Sequence, residues 1–378
     1  MRAAIDQILS FVQIVFDIQQ RTSQFVLFFL DTGVRFLRFD RSGAFVTKMF
    51  DYEADPTYLV DFLWRLSHSR PSQRGHDDTA ERIAHDSALG QQMRAIADKL
   101  QVSADPRFDI ADYAIEQFKN SLDTSSPWWR LTVKDELADE GAQREWRYLV
   151  GKPHSLSSEL CGRGSRGYVA LDADSLDAPR FVYLKDTWRV SWDGIDKEGT
   201  TLRILNGQDV PFIPTVLHHG DLDQIATMPK SVVNTHPKTF THYRMVVKEV
   251  GRPLKHFKNS KELIGIIGSC VTAHSKAYEA GYIHGDISEG NILIYADDKG
   301  RRCGLLNDWE LSRRVDERTG EAPRVDQLGT WTFLSVLAKD FPRKRISVQD
   351  ELESFFHVIL FMCIRHLAHN GQDTRFLI

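Results

Sequence analysis

The chain is poor in cysteine, in long apolar runs and in excess charge of either sign. Only 4 of its 378 residues are cysteine. Cys161, Cys270, Cys303 and Cys363 stand far apart with no C-x-x-C pair, which signals neither a zinc site nor a disulfide framework and fits a reducing compartment. The most apolar stretch, Phe25 to Leu30, is far shorter than the ~20 residues of a membrane helix and is closed by Asp31. The N-terminus reaches Asp6 and Asp17 before any uninterrupted apolar core, so no cleaved secretory signal is expected. Lysine and arginine number 48 against 52 aspartate and glutamate, a formal net charge of -4. That balance gives no reason to expect a nucleic acid or a membrane surface as partner. Together these absences predict an intracellular protein, cytoplasmic or nuclear.

What is present is ordinary globular material, 42% hydrophobic, 26% charged and 11% aromatic, enough for about two domains at roughly 150 residues each. Ile5, Leu9, Val12 and Phe16 recur at helical spacing. The runs Phe25–Leu30, Val34–Phe39 and Ala44–Val46, separated by turn-like clusters, predict a strand meander. Asp55-Pro56 reads as a helix start ahead of Leu59, Phe62, Leu63 and Leu66. A further helix is expected across Glu81 to Leu100, with His68 to Asp78 a mobile polar loop between. From about Pro127 the texture changes to short Trp-, Tyr- and Val-rich strands, which places a boundary near residue 125.

Four signals in fixed order carry the chemistry. Gly162-Arg163-Gly164-Ser165-Arg166-Gly167-Tyr168-Val169 fits G-x-G-x-x-G-x-V; Gly162, Gly164 and Gly167 would let backbone N–H groups approach phosphate oxygens, with Val169 on the strand that follows. Ser157–Cys161 and Tyr168–Leu171 read as strands around this turn. Phe181-Val182-Tyr183-Leu184-Lys185 is an apolar strand ending in lysine, like the V-A-I-K element of protein kinases. The helical glutamate that would pair with Lys185 is assigned to Glu198, although aligning on Arg203-Ile204-Leu205 would put Thr201 there. His284-Gly285-Asp286 with Asn291 matches the catalytic loop H-x-D-x-x-x-x-N, Asp286 orienting or deprotonating an attacking hydroxyl and Asn291 ligating magnesium. Finally, Asp308-Trp309-Glu310 closes an apolar strand as D-F-G does, which makes Asp308 a metal ligand. His219-Gly220-Asp221 repeats the triplet, but Ala226 stands where the metal ligand would be, and this copy is expected in a loop.

Together these signals predict an α+β, two-lobed protein-kinase-like fold with ATP and magnesium between the lobes. Residues 1–125 would form an α/β N-terminal accessory region. Residues 126–250 would be the antiparallel-sheet N-lobe and 251–378 a helical C-lobe. Thr241 to Gly251 would be the last N-lobe strand and hinge, with the backbone of Lys248, Glu249 and Val250 meeting adenine. The helix from about Ser260 to Ala280 would bury Leu263, Ile266, Ile267 and Val271 in the C-lobe core.

The residues also resemble one family, the fungal-type protein kinases expanded in mushroom-forming fungi, over nearly the whole chain. The resemblance is carried by Arg35 to Gly43, Phe50-Asp51-Tyr52, Asp61 to Arg65, Lys185-Asp186-Thr187-Trp188, the H-x-D-I-S-x-G-N-I form of the catalytic loop, Gly329 to Ser335 and Asp350 to Phe356. It implies ATP-dependent phosphorylation of protein Ser/Thr, on a protein substrate the sequence does not name. Departures from the general kinase pattern are Gly285 for the usual arginine, Ser288 for a lysine, Glu310 for the glycine of D-F-G and Leu337 for the closing glutamate. Without the arginine, activation-loop phosphorylation is not expected as a switch. Few residues follow the helix predicted over Glu351 to His366, so the C-lobe reads as incomplete, with an apolar flank open at Phe355, Val358, Ile359 and Phe361. Two other readings stand beside the protein kinase: a truncated or pseudokinase module that binds nucleotide or a partner, and a small-molecule kinase of aminoglycoside or choline kinase type. Oligomeric state is not legible.

Overall fold

The computed structural model describes residues 2–100, 109–136, 145–157, 159–190, 196–227, 239–297, 299–316, 321–322, 329–341 and 344–368. Its helices are α1 (Arg2–Ile18), α2 (Thr57–His68), α3 (Ala88–Lys99), α4 (Asp109–Ser121), α5 (Glu198–Gly207), α6 (Ser260–Glu279), α7 (Val336–Asp340) and α8 (Val348–His366). Antiparallel strand pairs accompany them, an α+β architecture. The chain forms two compact units, one of residues 1–100, 117–193 and 218–246, the other of residues 101–116, 194–217 and 247–378. One junction between them, at 246/247, falls beside the sequence division at 250, and none falls at 125. Among the described residues, no helix is long and apolar enough to cross a membrane.

The first unit begins with α1 and a meander of β1 (Ser23–Leu30), β2 (Gly33–Asp40), β3 (Gly43–Val46) and β4 (Phe50–Asp51). Helix α2 buries no residue fully. It meets the meander through aromatic faces: Phe62 stacks on Phe36 at 4.4 Å and meets Phe25 edge-on at 5.8 Å, contacts that add to simple area burial. The second sheet contains β5 (Ala80–Ile83), β6 (Trp128–Lys134), β7 (Glu145–Val150), β8 (Ser155–Leu156), β9 (Arg166–Asp172), β10 (Phe181–Val190), β11 (Val216–Thr227) and β12 (Thr239–Val247). Its order is β11-β12-β10-β9-β7-β6-β5, with β8 added on β9. Strand β9 is buried along its whole length, as a central strand covered on both faces must be.

In the second unit, Asn259 caps α6 by accepting the Glu262 N–H at 3.0 Å. Leu263, Ile266, Ile267, Cys270, Ala273 and Ala277 form its buried stripe at the three-and-four spacing of one helix face. Val271, expected on that stripe, is half-buried. Strands β13 (Arg252–Pro253), β15 (Ile292–Ala296) and β16 (Arg302–Leu306) make a small sheet, and β14 (Tyr282–Ile283) pairs with β17 (Arg313–Arg314). A capping box between Ser347 and Asp350 starts α8.

Several sequence expectations change. The helix expected over Glu81 to Leu100 is a strand followed by a shorter helix. Glu81 pairs with Arg130 across the sheet, and Ser87 caps α3 by accepting the Gly90 N–H; sheet pairing from a distant strand overrides local propensity. The segment His68 to Asp78 is anchored at its far end, with Thr22 donating to the Gly75 carbonyl at 2.9 Å and Arg21 to the Arg74 carbonyl at 3.1 Å, while His68 and Arg70 to Gln73 are exposed. The strand before the glycine turn is Ser155–Leu156, in register with Gly167 and Arg166; of the strand expected over Ser157–Cys161, residue 158 lies outside the described residues and the others are not in a strand. His219-Gly220-Asp221 lies within β11 rather than in a loop, and Arg189 grips Asp221 with two bonds of 2.8 and 2.7 Å. On α8 the open flank is rotated: Phe355 and Val358 are buried and Ile359 and Phe361 half-buried, while Leu352, Phe356 and Leu360 are exposed. The buried face is set by α6, whose His274 meets Phe355 edge-on and bonds Glu351.

Candidate active site

In the second unit the site grows from the hairpin of β15 and β16. Pairing of Ile292 with Leu306 puts the segments just outside it side by side, and the Asn307 N–H donates to the Asn291 carbonyl at 2.8 Å. The catalytic-loop candidate and the D-F-G-like triplet are thereby joined through backbone. Asn291 donates its amide to the Asp286 carbonyl at 2.8 Å and to Asp286 Oδ2 at 3.0 Å. With its N–H groups so engaged, its Oδ1 is the atom left to act as a ligand.

Asp286 is fixed from the other side as well. Thr330 donates its backbone N–H to Asp286 Oδ1 at 2.6 Å and its hydroxyl to the same oxygen at 3.1 Å. Oδ2 accepts the Asn291 amide and retains capacity for another donor, since a carboxylate oxygen takes about two.

His284 is fully buried and holds the loop rather than facing an open site. Its Nδ1 accepts the Asp286 N–H at 3.2 Å, so the proton sits on Nε2, which donates to the Asn307 carbonyl at 3.0 Å. Burial pushes its pKa below the usual histidine value despite the carboxylates of Glu351 and Asp286 nearby, so the imidazole is neutral at physiological pH. Gly285 adopts φ +87, and a Cβ there would stand 2.4 Å from the Leu311 carbonyl oxygen. No side chain fits this backbone, so the absence of the usual arginine is built into the turn. Behind it the Glu351 carboxylate accepts the N–H of His284 at 3.1 Å, the N–H of Gly285, and His274 Nε2.

Asp308 has φ +63 and is followed by buried Trp309, whose indole donates to the Leu306 carbonyl at 2.8 Å and meets His284 edge-on at 4.7 Å. Glu198, first residue of α5 and buried, accepts the Trp309 N–H at 3.0 Å. Carboxylate oxygens of Glu198, Asp308 and Glu310 lie within 4.8 Å of one another. Thr201, the rival for the glutamate position, lies beside Ser312 instead, at 3.4 Å. In the segment expected as hinge, Lys248 gives its N–H to the Thr215 carbonyl at 2.9 Å, and Glu249 accepts the N–H and hydroxyl of Thr215, each at 2.8 Å. Val250 is half-buried.

In the first unit, Gly167 stands directly opposite Lys185 in the pairing of β9 with β10. Val169 is buried on β9, and Gly162 and Gly164 take φ +108 and +47 in the turn before it. Asp186, next to Lys185, bonds His242 at 2.5 Å and Arg244 at 3.1 Å. Burial alone would raise its pKa, but Arg244 and His242 hold it far below the carboxylate range.

Thr330 and Glu351 escaped sequence reasoning as site residues. Their segments stood out only for family resemblance, and their partners lie 44 and 66 residues away.

A family model of fungal protein kinases matches residues 1–363. The chain belongs to the fungal protein kinase family, and its fold is kinase-like. Among solved structures it is similar to the kinase PK-1 of Cydia pomonella granulovirus, at 16% identity over 57% of this chain and 67% of that one, TM-score 0.39. It is also similar to vaccinia related kinase 3, at 15% identity over 61% of this chain and 66% of that one, TM-score 0.40. The chain thus spans about two thirds of the length of these relatives. No curated protein matches it.

Proposed function

We propose that the protein transfers the γ-phosphoryl group of magnesium-bound ATP to serine or threonine hydroxyls of a protein substrate. The carrying observation is the double anchoring of Asp286: with Asn291 and Thr330 fixing its carboxylate, the remaining capacity of Oδ2 is aimed without rotational freedom. A carboxylate so held can align a substrate hydroxyl and take its proton as the oxygen bonds to phosphorus and ADP leaves. Asn291 Oδ1 and the Asp308 carboxylate are hard oxygen donors of the kind magnesium takes, and the residues fit that ion. When bound, the metal would neutralise phosphate charge. Lys185 is the residue for the nucleotide phosphates. The backbone of Lys248 to Val250 would border the adenine.

The test is thermal stability with and without MgATP, then transfer of labelled phosphate to mixed protein substrates and to amino alcohols and aminoglycosides. Asp308→Ala should abolish the metal-dependent stabilisation. Asp286→Asn should keep it and lower transfer by at least about 10²-fold. Stabilisation without transfer by the unmodified protein would favour a binding module, and labelling of small acceptors alone a small-molecule kinase. Equal transfer by unmodified protein and Asp286→Asn would refute the assignment.

A further inference from the structure

Arg41 sits in the turn between β2 and β3, far in sequence from the glycine-rich segment, yet it is only 3% exposed. Its carbonyl accepts the Gly162 N–H at 2.8 Å. Its guanidinium Nη1 donates to the carbonyls of Glu159 and Leu160 at 2.9 and 3.4 Å, and the same group lies 4.8 Å from the centre of the Phe16 ring on α1. A Cβ at Gly164 would come within 2.2 Å of the guanidinium carbon, so the loop backbone rests directly on it. Leu160 packs on the cluster of Val12, Phe16 and Phe39.

The far arm of the turn is tied to the same segment. Arg166 donates to the carbonyls of Phe16 and Gln19 at the end of α1 and to the Gln20 side chain, which in turn donates to the Tyr168 hydroxyl at 2.9 Å. These bonds satisfy carbonyls a helix end leaves open. Asp186 attracts both guanidiniums, and successive side chains of a strand point to opposite faces. The grip therefore comes from the face of β10 opposite Lys185, where it does not compete with a ligand at that lysine.

We propose that Arg41 is a positioning residue: the N-terminal segment clamps the glycine turn from behind and holds it in place for the phosphates of a bound nucleotide. The nucleotide role rests on the phosphotransferase reading above; the clamp itself does not. A glycine-rich turn left free would have to be ordered at each binding event, and ordering it beforehand strengthens binding.

Hydrogen exchange in nucleotide-free protein tests the clamp, and MgATP affinity tests its purpose. Arg41→Met keeps the apolar stem and removes the donors. It should raise exchange at the amides of residues 159–165 by about tenfold with β12 unchanged, as expected for two lost hydrogen bonds. The Kd for MgATP should rise by a similar factor while turnover at saturating ATP stays within about twofold. Arg41→Lys, with one ammonium able to reach one carbonyl, should fall between, and it carries the comparison if the methionine variant does not fold. Unchanged exchange in a folded variant would overturn the clamp, and faster exchange with unaltered affinity would overturn its positioning role. Failure of unmodified protein to bind MgATP would refute the nucleotide role together with the kinase reading, and exchange alone would then decide the clamp.

Discussion

At the residue scale, the site depends on backbone that tolerates one residue type. Gly285 carries φ +87 with the Leu311 carbonyl where a side chain would begin, and both neighbours have work to do: His284 locks the loop to Asn307, and Asp286 carries the proposed chemistry. Gly285→Ala must therefore either hold a strained conformation against a clash or move Asp286. Both cost stability, together about 3 kcal/mol. Gly300 separates strain from clash, since it has φ +73 but nothing within 4 Å of its would-be Cβ; Gly300→Ala should cost only about 1 kcal/mol. Urea titration of both variants checks the ordering. Equal losses at the two positions would mean that the contact with Leu311 does not constrain the loop.

At the element scale, α8 supports the loop of His284 to Asn291 through one buried carboxylate. Burial would raise the pKa of Glu351, but the His274 imidazole, its hydrogen bond and the Gly285 N–H hold it below the ordinary glutamate value. A depressed pKa contributes stability that is complete above the unfolded value of about 4.3 and is lost as pH falls through the folded value. Glu351→Gln keeps the shape but turns one acceptor into a donor facing N–H groups, which should cost about 3 kcal/mol at pH 7. The gap between variant and unmodified protein should narrow as pH is lowered below 4, because the unmodified carboxyl is then protonated too. A pH-independent gap in parallel melting curves would mean that the charge of Glu351 is not what matters. This support also marks the limit of the sequence. Asp286 and Asn291 were legible because their spacing of five is local. The glutamate at the start of α5 is open between two registers in the sequence, and what the structure gives it is a bond from the Trp309 N–H. Glu351, Thr330 and Arg41 act across 66, 44 and 118 residues, and no periodicity or turn signal encodes a pairing at such range. The helix misread over Glu81 to Leu100 failed for the same reason, since β5 exists through its partner β6.

At the scale of the whole molecule, the N-terminal segment is structurally part of the first compact unit rather than an appendage. Strand β5 is the edge of the large sheet, and just before it Asp77 reaches Arg244 on β12 at 2.6 Å. Arg244 has no exposed side-chain surface and also bonds Asp186 on β10, Thr79 at 2.9 Å and the Thr132 carbonyl at 2.8 Å. One guanidinium thus ties the N-terminal segment to the strand that carries Lys185. Losing one of its two carboxylate partners leaves this buried cation with Asp186 alone, so Asp77→Asn should cost about 3 kcal/mol at pH 7. Burial works to raise the Asp77 pKa, but Arg244 and His242 bring it down to about 2. Its contribution is therefore complete above the unfolded value of about 3.9 and fades as pH falls towards the folded one. Unfolding curves should show the largest difference between Asp77→Asn and unmodified protein near neutrality and a shrinking one below pH 4. A chain begun at residue 84 lacks Asp77, β5 and Arg41 together and should show no cooperative melt. A cooperative melt from that shortened chain, at a temperature close to that of the intact protein, would show that the sheet closes without its N-terminal edge and that Arg244 tolerates the loss of Asp77.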